Sequence, residues 1–174
     1  NLIQAIEKSF SKSDIVFVEG DAISGKTECV AEFMRRHEGQ AIAAFLAPNT
    51  PVFYSPVFAR QTLGEQAYML VNNMTACPDD YVIDDKEFST LLLRLQRVAK
   101  KKVITFIVDG LSDEEGTDRQ IALDIMRMLP LGQSEFRFLF TGSEKLYSSS
   151  IFSNKGAVKK VTLVDLSKEE AESY

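Results

Sequence analysis

The sequence predicts an α/β fold, a three-layer α/β/α sandwich whose mainly parallel sheet has five strands. Three observations point there. Short apolar runs alternate with segments of helical period along almost the whole chain. The first such run, Ile15–Glu19, stops at Gly20 and leads through a glycine-bearing turn into a helical pattern. A later run, residues 103–108, is strongly apolar or β-branched and ends in Asp109. Near-continuous apolar runs of this length mark strands buried on both faces, as parallel strands are.

The elements follow in order. Ile15–Glu19 is the first strand, and residues 25–37 form a helix stopped by Gly39. Residues 41–46 are the second strand, after which Pro48, Pro51 and Pro56 mark an extended loop. Leu63, Ala67, Leu70 and Met74 recur at helical spacing and place a helix over about 57–75. Residues 77–84 form a loop. The next helix, about 86–99, gathers Phe88, Leu91, Leu92, Leu95, Val98 and Ala99 on one face. Asp84 and Asp85 precede it and Lys100, Lys101 and Lys102 follow it, matching the helix dipole at both ends. Residues 103–108 make the third strand, and 118–129 a helix closed by Pro130. Residues 136–140 and 158–166 supply the fourth and fifth strands. Ser167 and Glu170 have capping-box spacing, so a last helix is expected from about Lys168. A helix cut short at Tyr174 and a first residue other than methionine lead us to expect one domain, residues 1–174, of a larger protein.

Bulk properties narrow the function. A hydrophobic fraction of 45% is that of a folded globular chain. No apolar run approaches the roughly 20 residues that span a bilayer. Glu7, Lys8 and Lys12 interrupt the first fourteen positions, which therefore do not read as a secretory leader. A net charge of -5 weighs against a dedicated nucleic-acid binder, whose affinity comes from cations on phosphates. Cys29 and Cys77 form no motif and read as reduced thiols, consistent with a cytoplasmic address.

The chemistry is concentrated at one place. Gly20-Asp21-Ala22-Ile23-Ser24-Gly25-Lys26-Thr27 fits the phosphate-loop pattern G-x-x-x-x-G-K-[ST], and lies between a strand and a helix as that motif requires. The glycines let successive N–H groups turn inward around phosphates, and the helix adds its positive end. Lys26 brings a full charge to the β- and γ-phosphates, and the Thr27 hydroxyl is a magnesium ligand. Gly20, Ser24, Gly25, Lys26, Thr27 and Glu28 are the expected nucleotide contacts. A glycine-punctuated turn with no ligand is the plainer alternative, and the intact pattern in its strand-to-helix context outweighs it. Asp109, at the end of a strand whose carboxyl end shares the cleft with Gly20, is the expected magnesium carboxylate. Asp113 and Glu114, just beyond, are candidates to orient an attacking water, with Glu115 beside them in a run that a solvated loop would also explain.

Other features have blander readings. His37 follows Arg35 and Arg36 as a helix C-terminal cation. Cys29, Met126 and Met128 read as core, and Lys100 to Lys102 as a solvated helix end. Phe45, Phe53, Tyr54 and Phe58 cluster around the proline loop, where core contact competes with adenine stacking or a docking surface.

In sequence order, the phosphate loop, VITFIVDG, FRFLFTGS and VTLVDLSKEEA resemble the signal-transducing STAND ATPases, which include NACHT and AP-ATPase modules. The likeness extends over nearly the whole chain. It implies that Asp109-Gly110-Leu111 opens the acidic strand-end pattern, with Ser112 where the first acid is common and Asp113 at the second. It also implies that Thr141 approaches the γ-phosphate side of the site. Glu144 stands where a basic sensor would be common, and residues 166–171 resemble the junction to a helical lid. The favoured function is a nucleotide-dependent molecular switch that binds ATP or ADP with Mg2+, hydrolyses slowly, and works through self-association or flanking domains. The alternatives are a motor or phosphotransferase on nucleic acid or a small substrate, and a degenerate module that binds without turnover. The absence of the guanine-reading N/T-K-x-D motif favours ATP.

Overall fold

Side chains alternate across a strand, and in the first four strands of this chain both halves of the alternation are mostly apolar, whereas residues 158–162 carry Lys159 and Lys160. Those four strands must therefore be covered twice. The computed structural model, which describes residues 2–20, 25–114, 116–147, 150–152 and 158–162, shows how. In chain order the elements are α1 (Leu2–Phe10), β1 (Ile15–Glu19), α2 (Lys26–Arg36), β2 (Ala41–Phe45), α3 (Pro56–Asn72), α4 (Asp85–Ala99), β3 (Ile104–Leu111), α5 (Gly116–Met128), β4 (Phe136–Gly142), α6 (Glu144–Tyr147) and β5 (Val158–Thr162). The five strands form one sheet in the order β2-β3-β4-β1-β5, and every pairing is parallel.

Val16 and Val18 of β1, Ala43, Ile107 and Leu139 face a layer made by Ile3, Ile6 and Phe10 of α1 and Val30 and Phe33 of α2. Ile15 and Phe17, Ile42 and Ala44, Phe106 and Val108, and Phe136, Phe138 and Phe140 face the other way, onto α3, α4 and α5. Phenylalanines dominate that second core: Phe138 stacks on Phe106 at 5.6 Å, and Phe136 meets Phe106 edge-on at 5.2 Å. The three-layer α/β/α sandwich with a parallel sheet is the fold the sequence predicts.

The differences are local. α1 was not expected; its one buried stripe, Ile3, Ile6 and Phe10, is short and separated by charged and polar residues. β3 does not stop at residue 108. It bulges between Val108 and Leu111, with Gly110 at φ 86, and then pairs Leu111 with Gly142. β4 correspondingly runs on through Thr141 to Gly142. The helix expected over 57–75 begins at Pro56 behind the Ser55 cap and ends at Asn72, leaving Met74 exposed. Of the fifth strand, 158–162 is described; the capping box at Ser167 and Glu170 and the junction at 166–171 lie outside the described residues. On the free edge of β2, the Gln66 side chain from α3 accepts from the Ala43 N–H at 2.9 Å and donates to the Ala43 carbonyl at 2.7 Å.

Candidate functional site

The parallel sheet brings the carboxyl ends of β1, β3, β4 and β5 to one side, where open α/β sheets place their ligands. A cleft of about 760 Å³ opens there. Glu19, Gly20, Lys26 and Thr27 line one side of it, Asp109 to Ser112 with Glu114 and the Thr141–Ser143 segment another, and Pro48, Asn49 and Thr162 its margins.

Gly25 precedes α2 at φ 75 and ψ 19, the left-handed conformation that a side chain resists. A Cβ there would meet nothing closer than 3.8 Å, so backbone conformation and not space is what calls for glycine. Lys26 opens α2, and its Nζ donates to the Gly20 carbonyl at 2.6 Å. That bond ties together the two ends of the loop, whose residues 21–24, Ser24 among them, lie outside the described residues. Thr27 is one residue further along the helix. Its hydroxyl donates to Asp109 Oδ2 at 2.7 Å, linking positions 82 apart in sequence. Glu28 is exposed on the first turn of α2 and does not line the cleft.

Asp109 is 4% exposed. A carboxylate so placed needs hydrogen bonds in place of water. Thr27 supplies one, and the Thr141 hydroxyl donates a second to Oδ1 at 2.5 Å. The Thr141 oxygen in turn accepts the Gly110 N–H at 3.0 Å, at the bulge where that amide leaves the regular ladder. Thus the sequence-predicted Lys26, Thr27, Asp109 and Thr141 converge at the cleft.

The two candidate acids part company. Glu114 lines the cleft, whereas Asp113 does not, and its Oδ2 is buried with no hydrogen-bond partner among the described residues. Tyr54, from the loop before α3, underlies this segment: its hydroxyl accepts the Ser112 N–H at 2.9 Å and lies 3.0 Å from the Ser112 carbonyl and 3.2 Å from that of Asp118. Burial, helped by the charges of Asp118 and Asp113, pushes the Tyr54 hydroxyl up to about 12, so it stays protonated as a donor. Of the aromatic cluster, Tyr54 is core, Phe58 is half-buried and stacks edge-on with Phe53 at 5.3 Å, and Phe45 and Phe53 are exposed.

Glu19 was missed by the sequence reading. It ends β1 in the cleft wall, where its Oε1 accepts from Thr162 at 2.6 Å and Lys160 at 2.8 Å. Burial disfavours its charge, but those two bonds and the Lys160 charge outweigh it and hold the carboxyl below its ordinary range. An acid closing an otherwise apolar strand was the signal available. Among the described residues there is no cluster of three or more His, Cys, Asp or Glu side chains able to hold a metal, and no helix is long and apolar enough to cross a membrane.

No protein-family model and no curated protein matches the sequence. Solved structures do match in shape. A Walker-type ATPase of Pyrococcus abyssi superposes over 99% of this chain and 55% of its own, with a TM-score of 0.63 at 11% identity. The Orc1 protein of Aeropyrum pernix, in a structure with DNA, matches over 99% of this chain and 48% of its own, with a TM-score of 0.51 at 12% identity. The chain thus spans about half the length of these neighbours. The sheet order, the glycine-initiated α2 and this likeness together establish that the chain has the fold of the P-loop NTPases.

Proposed function

We propose that this chain binds ATP or ADP with Mg2+ at the cleft, as the nucleotide-binding domain of a signalling switch in which hydrolysis is slow. The observation that carries the reading is the Thr27–Asp109 hydrogen bond, which joins the phosphate-loop helix to the end of β3. Lys26 would meet the β- and γ-phosphates, and the amides at the start of α2 would complete the cradle. Thr27 and Asp109 offer magnesium a hydroxyl and a carboxylate. Two hard oxygen donors, with no larger acidic cluster among the described residues, suit an ion that takes its remaining ligands from phosphate and water. When bound, the ion would neutralise charge developing between the β- and γ-phosphates. Glu114 is favoured over Asp113 to orient the attacking water, because it is the one that lines the cleft.

The switch role rests on the order of motifs, which resembles that of the STAND ATPases and suits a domain acting on flanking partners or on further copies. One neighbour is bound to DNA in its structure, and favours a second reading, a module serving a DNA-bound protein. The net charge of -5 keeps that reading second. Replacing Lys26 with alanine should preserve the fold and weaken ATP binding by on the order of ten- to a thousandfold, measured by titration calorimetry. Equal affinity in the variant and the parent would overturn the phosphate-cradle assignment.

A further inference from the structure

We propose that Thr141 is a positioning residue for Asp109, setting the metal carboxylate in place rather than touching the γ-phosphate. The inference rests on the nucleotide reading above and assigns a task within that site. A threonine hydroxyl has one proton to give and two lone pairs to offer. Thr141 has no exposed surface, and it spends the proton on Asp109 Oδ1 at 2.5 Å. One lone pair takes the Gly110 N–H at 3.0 Å. A phosphate oxygen has only lone pairs, so contact with it would require that same proton. Giving it up would strip a bond from a carboxylate that is 4% exposed.

The geometry gives the hydroxyl a second task. β3 pairs with β4 at Val108–Phe140 and resumes at Leu111–Gly142, so Asp109 and Gly110 lie in the interruption. Thr141 is the β4 residue between those two pairs, and its side chain stands in for the missing ladder bond at Gly110. With Thr27 on Oδ2 and Thr141 on Oδ1, the carboxylate plane is held from both ends. Two of its roughly four lone-pair positions stay open for a cation. Partners one step behind a metal ligand commonly contribute ten- to a hundredfold in metal affinity.

Thr141→Val keeps the shape of this buried side chain and removes the hydroxyl; Thr141→Ser keeps the hydroxyl. Calorimetric titration of ADP and of ATP, each with Mg2+ and with EDTA, reads the difference. In Thr141→Val the magnesium enhancement of binding should fall by roughly ten- to a hundredfold for both nucleotides, with affinity in EDTA unchanged and with Thr141→Ser behaving as the parent. A loss confined to ATP and present in EDTA would mean a direct γ-phosphate contact and would overturn the proposal. So would an intact magnesium enhancement. If Thr141→Val does not fold, Thr141→Ser decides: loss of the enhancement there would refute a role for the hydroxyl, and its retention alongside a loss in Thr141→Cys would support one. Absence of any nucleotide binding in the parent would sink the underlying reading and this inference with it, whereas a parent that binds and depends on Lys26 separates the two.

Discussion

Asp109 is buried, and two threonines from different elements, Thr27 and Thr141, donate to its two oxygens. Changing it to asparagine preserves volume and removes the charge. The expected outcome is weaker magnesium enhancement of ATP binding with metal-free binding retained or improved, measured by calorimetry with and without EDTA; unchanged magnesium dependence would move the metal carboxylate elsewhere. Cys29 shows the opposite use of burial. Desolvation pushes its thiol up to about 11, outweighing the nearby Arg36 charge. At pH 8 only about one molecule in a thousand would carry the reactive thiolate there, so alkylation of Cys29 should be far slower in the folded chain than in denaturant. Comparable labelling rates in the two states would contradict that burial. Asp109 could be picked out from sequence because a strand ended in an acid; its partner Thr141, 32 positions away, could be named only by resemblance, and its bond to Asp109 had no local signature.

The end of β3 shows how an element carries these residues. In sequence the apolar run of the third strand stops at residue 108, directly before Asp109. In the structure Gly110 takes φ 86 and the strand continues. Continuation brings Leu111 against Gly142 so closely that a Cβ on Gly142 would lie 2.3 Å from the Leu111 carbonyl oxygen. Gly142→Ala should therefore force β3 and β4 apart and cost about 1–3 kcal/mol, read as a lower denaturation midpoint. An unchanged midpoint would show that the strand ends have room to part. Apolar runs and 3.6-residue periods made β1, β2, β3, α3 and α4 legible, because burial on one or both faces writes itself into local sequence. α1 was hidden by its brevity. The hold of Tyr54 on the Ser112 segment was hidden because it joins residues 58 positions apart through one hydroxyl.

At the scale of the molecule, the cleft collects its walls from β1, β3, β4, β5 and the loop after β2 but gathers little positive charge. Among the described residues that line it, Lys26 is the only cation. An added arginine contributes roughly 10³–10⁵ to the rate in NTPases that use one. Residues 1–174 alone should accordingly bind nucleotide yet release phosphate slowly, and steady-state phosphate release by this chain, compared at equal site concentration with the assembled protein that the switch proposal calls for, checks it. Equal rates would leave a self-sufficient NTPase and count against the switch reading. The amide of Gln66 bears on how such an assembly could form. By offering Ala43 one acceptor and one donor, it impersonates a sixth strand, so a neighbouring molecule finds this border of the sheet already taken. Copies meeting as proposed would be steered away from β2 to other surfaces, the helices, the loops or the β5 edge. Gln66→Leu removes the impostor and should make light scattering rise on prolonged incubation, as borders bared on different molecules zip together.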